Sequence, residues 1–206
     1  MHQIFKIFFE DRIFILAKDN AFSPDNSYTI YHYENLNKLN HIITGFEKDK
    51  DNNRKIVVFH HDMDLLWKKF KSNFKFICAS GGLVMNTEHK YLFIKRLEKW
   101  DLPKGKIEKN EKIEHTAIRE VGEETGIYDL QIIRSLDSTY HTYKIKDKLI
   151  LKRTYWFLMK CNNIISPIPQ TEENITEARW IDKADLAMIT GNTYASLIDV
   201  IRYISE

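Results

Sequence analysis

Three carboxylates within five residues, Glu120, Glu123 and Glu124, are the side chains in this sequence best placed to do chemistry. They lie in the stretch from Trp100 to Ile127, WDLPKGKIEKNEKIEHTAIREVGEETGI. Here Asn110 or Glu111 can open a helix that lasts to about Thr125, and Gly126 supplies a left-handed stop. Pro103 and Gly105 keep the helix from starting earlier. At about 100° per residue, Ile113, Ala117, Ile118 and Val121 form its apolar arc. Glu120 and Glu124 fall one heptad after Ile113 and Ala117, so they continue the buried stripe, with Glu123 beside them. Carboxylates this close cannot all stay ionised without a compensating cation. Arg119 can pair with Glu123, four residues on, but one arginine does not neutralise three carboxylates. Oxygen ligands three and four residues apart suit Mg²⁺ or Mn²⁺. A solvated Glu-rich face is the plainer reading of such a helix, and the angular position of Glu120 and Glu124 argues against it.

Gly105, five residues, Glu111, seven residues, then Arg119-Glu120-Val121-Gly122-Glu123-Glu124-Thr125-Gly126-Ile127 resembles the Nudix box without a departure. The resemblance implies hydrolysis of a nucleoside diphosphate linked to another moiety, with water attacking phosphorus while divalent metals bridge the phosphates. Carried over by position, it makes Glu120, Glu123 and Glu124 metal ligands and Arg119 the residue that orients a glutamate. Lys104 and Gly105 correspond to the loop whose backbone carbonyl reaches a metal, and Glu111 to a structural residue. An additional acidic ligand or base is implied before the last strand. Glu172 and Glu173 are the candidates, with Glu173 carried into the ligand set. The WDLPKGK stretch, Trp100 to Lys106, is similar to that of diadenosine polyphosphate hydrolases and some 8-oxo-dGTP pyrophosphatases, which brings these two substrate classes forward. The rival from another class is a non-catalytic Nudix domain that senses a nucleotide and contacts a partner through its N-terminal part. Retention of every box glutamate speaks against it.

Around the helix, six basic residues between Lys95 and Lys109 outnumber three acidic ones. Cations beside an acidic metal site suit a polyphosphate, which makes Arg96, Lys104 and Lys106 substrate-binding candidates. Aromatic residues crowd two later strands, and Tyr143 or Tyr155 could stack on a base, although strand aromatics are more often core.

These side chains need a scaffold, and 206 residues with 43% apolar content can bury a real core. The formal charge of +2 offers no broad basic face, so nucleic acid is not an expected partner. A small nucleoside diphosphate derivative is expected, and a second copy of the chain is a candidate for assembly. Apolar runs are too short to span a bilayer, and the opening MHQIFKIFFEDR lacks a signal peptide's uninterrupted apolar core, so a cytoplasmic protein is expected. Cys78 and Cys161 sit in strand-like segments and read as buried thiols.

Residues 1–74 read as a small separate α/β unit of unassigned role. A hairpin around Glu10-Asp11-Arg12 comes first, and Tyr28 to Tyr33 could add an extended piece. A helix on Leu36, Leu39, Ile43 and Phe46, a strand at Ile56 to Phe59 and a helix on Met63, Leu66, Trp67 and Phe70 follow. Next to them, His60-His61-Asp62 suggests metal binding only weakly, because adjacent strand residues point in opposite directions. Residues 75–206 form the expected catalytic domain. Strands at Phe76 to Met85 and Tyr91 to Ile94 precede the box, a hairpin of Leu130 to Tyr143 with Leu149 to Cys161 follows it, and Ile175 to Ile181 is the last strand. Thr193 should cap a final helix on Tyr194, Leu197, Ile198, Ile201 and Ile204. The expected fold is α+β, a Nudix-like α/β/α sandwich with a mixed sheet preceded by the small N-terminal unit.

Overall fold

The computed structural model describes residues 3–205; Met1, His2 and Glu206 lie outside the description. In chain order the elements are β1 (Ile4–Phe9), β2 (Arg12–Ala17), β3 (Tyr28–His32), α1 (Leu36–Lys48), β4 (Lys55–Phe59), α2 (Met63–Lys71), β5 (Lys75–Met85), β6 (Tyr91–Arg96), β7 (Lys99–Asp101) and β8 (Lys104–Lys106). After them come α3 (Ile113–Thr125), β9 (Leu130–Ile145), β10 (Lys148–Cys161), β11 (Ile175–Ile181), α4 (Leu186–Thr190) and α5 (Ala195–Ile201). The chain forms two compact units, one of Met1–Ile77 with Tyr140–Lys152, the other of Cys78–Thr139 with Arg153–Glu206.

In the first unit β1 and β2 form the hairpin, turned by Glu10 in the left-handed region at φ 58°. β2, β4 and β3 run parallel, and β1 also lies parallel to β9 through Ile7↔Tyr140 and Phe9↔Thr142. Parallel neighbours need crossovers, which α1 supplies between β3 and β4. Asn35 caps α1 and Asp62 caps α2, each side chain accepting a backbone N–H three residues on. The helices bury Leu39, Ile43, Phe46, Met63, Leu66 and Phe70 against alternate strand residues such as Ile7, Phe14, Leu16 and Val58, with Tyr140 and Leu151 from the β9–β10 hairpin. Arg12, read above as a turn residue, is buried, and its guanidinium donates to the carbonyls of Phe46 and Asp49 at the end of α1. His60 and His61 correct the expectation that their rings diverge. Both lie past the end of β4, where alternation no longer applies, and their ring centroids are 4.2 Å apart.

The second unit is a sandwich whose middle layer has the strand order β11-β6-β5-β10-β9, with β7 on β6 and β8 on β5. Alternation divides it cleanly. Leu83, Phe93 and Trp156 face a cluster with Leu197, Val200 and Ile201 of α5, while their chain neighbours Val84, Leu92 and Phe157 face Ala117 and Val121 of α3. This is the expected α/β/α arrangement. Gly81 permits the close approach of β8, since a Cβ there would lie 2.3 Å from the Pro103 carbonyl oxygen. Thr193 is not the cap of the last helix. Its hydroxyl donates to the Trp100 carbonyl at 2.8 Å, and α5 begins two residues later. Cys161 is buried and Cys78 half-buried, and neither is in a disulfide. Among the described residues no helix is long and apolar enough to cross a membrane.

Candidate active site

α3 starts at Ile113, not at Asn110 or Glu111. Asn110 sits at φ 67°, outside helical geometry, and the Glu111 carboxylate accepts the Glu108 N–H at 3.1 Å, so the segment closes a turn first. At its other end Gly126 takes the left-handed conformation, φ 70°, as its position demanded. Between these ends Glu120 and Glu124 are buried, at 7% and 0% exposure, and Glu123 is exposed. The heptad reading therefore holds for both buried glutamates.

Arg119 organises one side of the site. Its guanidinium donates to both oxygens of Glu111 at 2.8 and 2.9 Å, to Glu120 and Glu123 at 2.8 Å each, and to the Lys106 carbonyl at 3.2 Å. So one arginine does meet three carboxylates, though Glu111 takes the place of Glu124 among them. The bidentate Arg119 contact holds the Glu111 carboxyl down to about 2, and the same contacts raise Arg119. Glu120 moves the other way, because burial outweighs Arg119 and raises its carboxyl. The β8 backbone presses on it: a Cβ at Gly105 would lie 1.8 Å from Glu120 Oε2.

Glu124 anchors the other side. Its Oε2 accepts the Lys104 backbone N–H at 2.8 Å, while Oε1 is buried without a hydrogen bond and has the Arg96 guanidinium 3.8 Å away. Burial pushes this carboxyl up to about 7 despite the charge of Lys104. Arg96 also reaches Glu173 at 3.5 Å, which brings Glu173, and not the exposed Glu172, to this group. Lys104 differs from expectation. Its ammonium is nearly enclosed and ion-paired with buried Asp101, so its side chain is committed inward and only its backbone meets Glu124. Burial opposes its charge, yet Asp101 and Glu124 hold the ammonium above its usual range. Lys106 stays exposed.

The aromatic candidates fall apart. Tyr155 packs partly on the α3-side core and carries the Arg153 guanidinium over its ring at 4.0 Å. Tyr143 belongs to the first unit, stacked on His141. Asp101 escaped the sequence reading, although its spacing of three from Lys104 is visible in WDLPKGK.

Among the described residues, no three acidic, histidine or cysteine side chains stand together as a finished metal-ligand set. The donors nonetheless fit a hard divalent cation: carboxylates on one helix, one with a buried oxygen that no hydrogen bond satisfies, and a backbone loop against another.

A family model described as the NUDIX domain matches residues 76–199. The chain belongs to the Nudix family. It is similar to an RNA pyrophosphohydrolase of Sphingopyxis alaskensis, 32% identical over 53% of this chain and 78% of that protein. A second RNA pyrophosphohydrolase, from Pelagibacter ubique, is 30% identical over 50% of this chain and 73% of its own length. Among solved structures it is similar to a C. elegans Ap4A hydrolase, at 24% identity and TM-score 0.49, over 63% of this chain and 95% of that one. As a Nudix hydrolase the protein cleaves pyrophosphate bonds in nucleotide derivatives.

Proposed function

We propose that this protein is an Mg²⁺- or Mn²⁺-dependent pyrophosphohydrolase whose substrate is a nucleoside diphosphate linked to another group, with the cytoplasmic nucleotide pool as its setting. The observation that carries the reading is Glu124: a fully buried carboxylate with one oxygen lacking a hydrogen bond, beside half-exposed Arg96. Burying a carboxylate oxygen that no hydrogen bond satisfies is expensive, and a functional site is where such strain is kept.

Glu120, Glu123 and Glu124 would hold the cation, with the backbone carbonyl of the Lys104–Gly105 loop and Glu173 completing the donors. Bound there, the metal would neutralise phosphate charge and lower the pKa of the attacking water. The chain's own residues do the rest. Arg119 fixes the carboxylates of Glu120 and Glu123 in position through hydrogen bonds of 2.8 Å. Asp101 holds Lys104 inward, which keeps a positive charge under Glu124. Arg96, half-exposed beside Glu124 and Glu173, and exposed Lys106 would face the phosphates and stabilise the leaving one. A glutamate of the set accepts the proton from the attacking water.

For the linked group, the names of the two relatives put RNA first. Dinucleoside polyphosphates and oxidised nucleoside triphosphates, suggested by WDLPKGK, come next. The test is a hydrolysis screen of pure protein with Mg²⁺ or Mn²⁺ against 5′-triphosphorylated RNA, dinucleoside polyphosphates and nucleoside triphosphates, repeated in EDTA. Turnover of one class that EDTA abolishes is the expected result. Full turnover in EDTA would remove the metal, and nucleotide binding without any turnover would leave a sensor.

A further inference from the structure

Among the described residues of the first unit, helices cover one face of its sheet. Ile7, Phe14, Val58, Tyr140 and Leu151 point to α1 and α2, so their neighbours along each strand point the other way. The strand registers line up one row on that second face: Tyr28, Lys55, Ile13, Phe8 and His141, successive members one strand apart. Strands lie about 4.8 Å apart, so the row runs roughly 19 Å. Its centre is sealed, with Phe8 buried and Phe22 packed near Ile15 and Val57, whereas both flanks are open. Ile30 and Ile145 are each 52% exposed, and Tyr143 is 36% exposed.

Charge on this face is one-sided. Its strand positions include Lys6 and Lys55 and, by alternation with Leu151, Lys148 and Lys152, and none of them is a carboxylate. Asp25, from the loop before β3, does come near Lys55, and Ser27 already donates to it. The cations sit on rings: Lys55 Nζ lies 5.5 Å from the Tyr28 centroid and Lys6 Nζ 4.9 Å from that of Phe8. The overall charge of +2 conceals the bias, since the first unit has 16 lysines and arginines against 11 carboxylates and the second 15 against 18.

We propose that this face binds single-stranded RNA, Tyr28 and Tyr143 on its open flanks stacking bases and its lysines meeting phosphates. Flat rings beside cations, with exposed aliphatic residues at the flanks, are what unpaired bases and their backbone require. The choice of RNA as the strand rests on the reading of the catalytic site given above. The binding itself does not.

The test uses the full chain and a short fluorescent single-stranded RNA with a 5′-hydroxyl, titrated in EDTA and followed by anisotropy, so that no hydrolysis enters. Binding should weaken with salt. Lys55→Glu with Lys148→Glu should weaken it at least about tenfold and lower the salt slope by about 1.4, two phosphates at about 0.7 each. Tyr143→Ala should weaken it about tenfold, the range for one stacked base. Lys6→Glu with Lys152→Glu replaces the first pair if its melting temperature falls. The proposal fails if the parent does not bind, or if both charge-reversed pairs bind as the parent does. Equal affinity for duplex RNA or single-stranded DNA also overturns it, as does competition by polyglutamate as good as by RNA. A chain that binds this probe but hydrolyses nothing keeps the inference and loses the catalytic reading; an active hydrolase that ignores the probe does the reverse.

Discussion

Burial that holds the Glu124 carboxyl near 7 makes its ionisation a burden on the metal-free fold. Its folded value lies above the ordinary 4.5, so the folded state keeps a proton that the unfolded chain releases. Stability from this group is full below about 4.5 and is lost as the pH rises to about 7. The whole shift corresponds to about 3 kcal/mol, from roughly 1.4 kcal/mol per pH unit. Glu120, raised by burial, acts in the same direction, while Glu111, held near 2, loses its contribution only in acid. Urea unfolding in EDTA should therefore show stability falling between pH 5 and 7.5. Glu124→Gln should flatten that fall and be more stable than the parent at pH 8, yet hydrolyse at least about 100-fold more slowly, since it removes charge where the transition state gathers it. An unchanged hydrolysis rate would move the active site off this helix. Lys104→Ala tests the inward pairing. Leaving buried Asp101 alone should cost about 3 kcal/mol, with part regained in the double variant with Asp101→Asn. A purely phosphate-binding lysine would instead raise KM and leave stability alone.

At the scale of elements, β8 and α3 meet where Gly105 faces Glu120, and a methyl group has no room there. Gly105→Ala should displace the carboxylate and lower kcat at least about tenfold while shifting the melting temperature by only a few degrees, because what the methyl group meets is the movable end of the Glu120 side chain. Equal kcat would mean that Glu120 need not sit against the loop. Much of this region was legible in the sequence. Periodicity alone set Glu120 and Glu124 on the buried stripe, and Gly126 announced the end of the helix. The start was misjudged because Asn110 and Glu111 are good helix openers in isolation, while here a left-handed residue and a side-chain contact to Glu108 compete. β7 and β8 were invisible because each is three residues long, too short for alternation to register. Thr193 followed local capping rules in the sequence and a distant carbonyl in the fold. Which carboxylates Arg119 would gather also depended on tertiary approach, since Glu111 is eight residues away.

For the whole molecule, the return of Tyr140–Lys152 to the first unit is what no local pattern disclosed, because it depends on β1 pairing with β9. A chain beginning near Lys75 would leave Tyr140 and Leu151 without the apolar partners they pack against. Such a truncation should aggregate or melt well below the parent in light scattering and calorimetry. Replacing Tyr140–Lys152 by a short turn in the same truncation should restore solubility and retain turnover of a small nucleotide. If the plain truncation is as stable as the full chain, the hairpin tip does not need the first unit. The same return sets a timetable for synthesis. Ribosomes deliver about 5–20 residues per second, and Ile7 waits for Tyr140 over more than 130 residues, on the order of 10 s. During that interval β1 has β2 on one side and an unpaired edge on the other, the kind of edge that recruits stray strands. The N-terminal unit, although first out of the ribosome, is thus completed only after the box helix has been made.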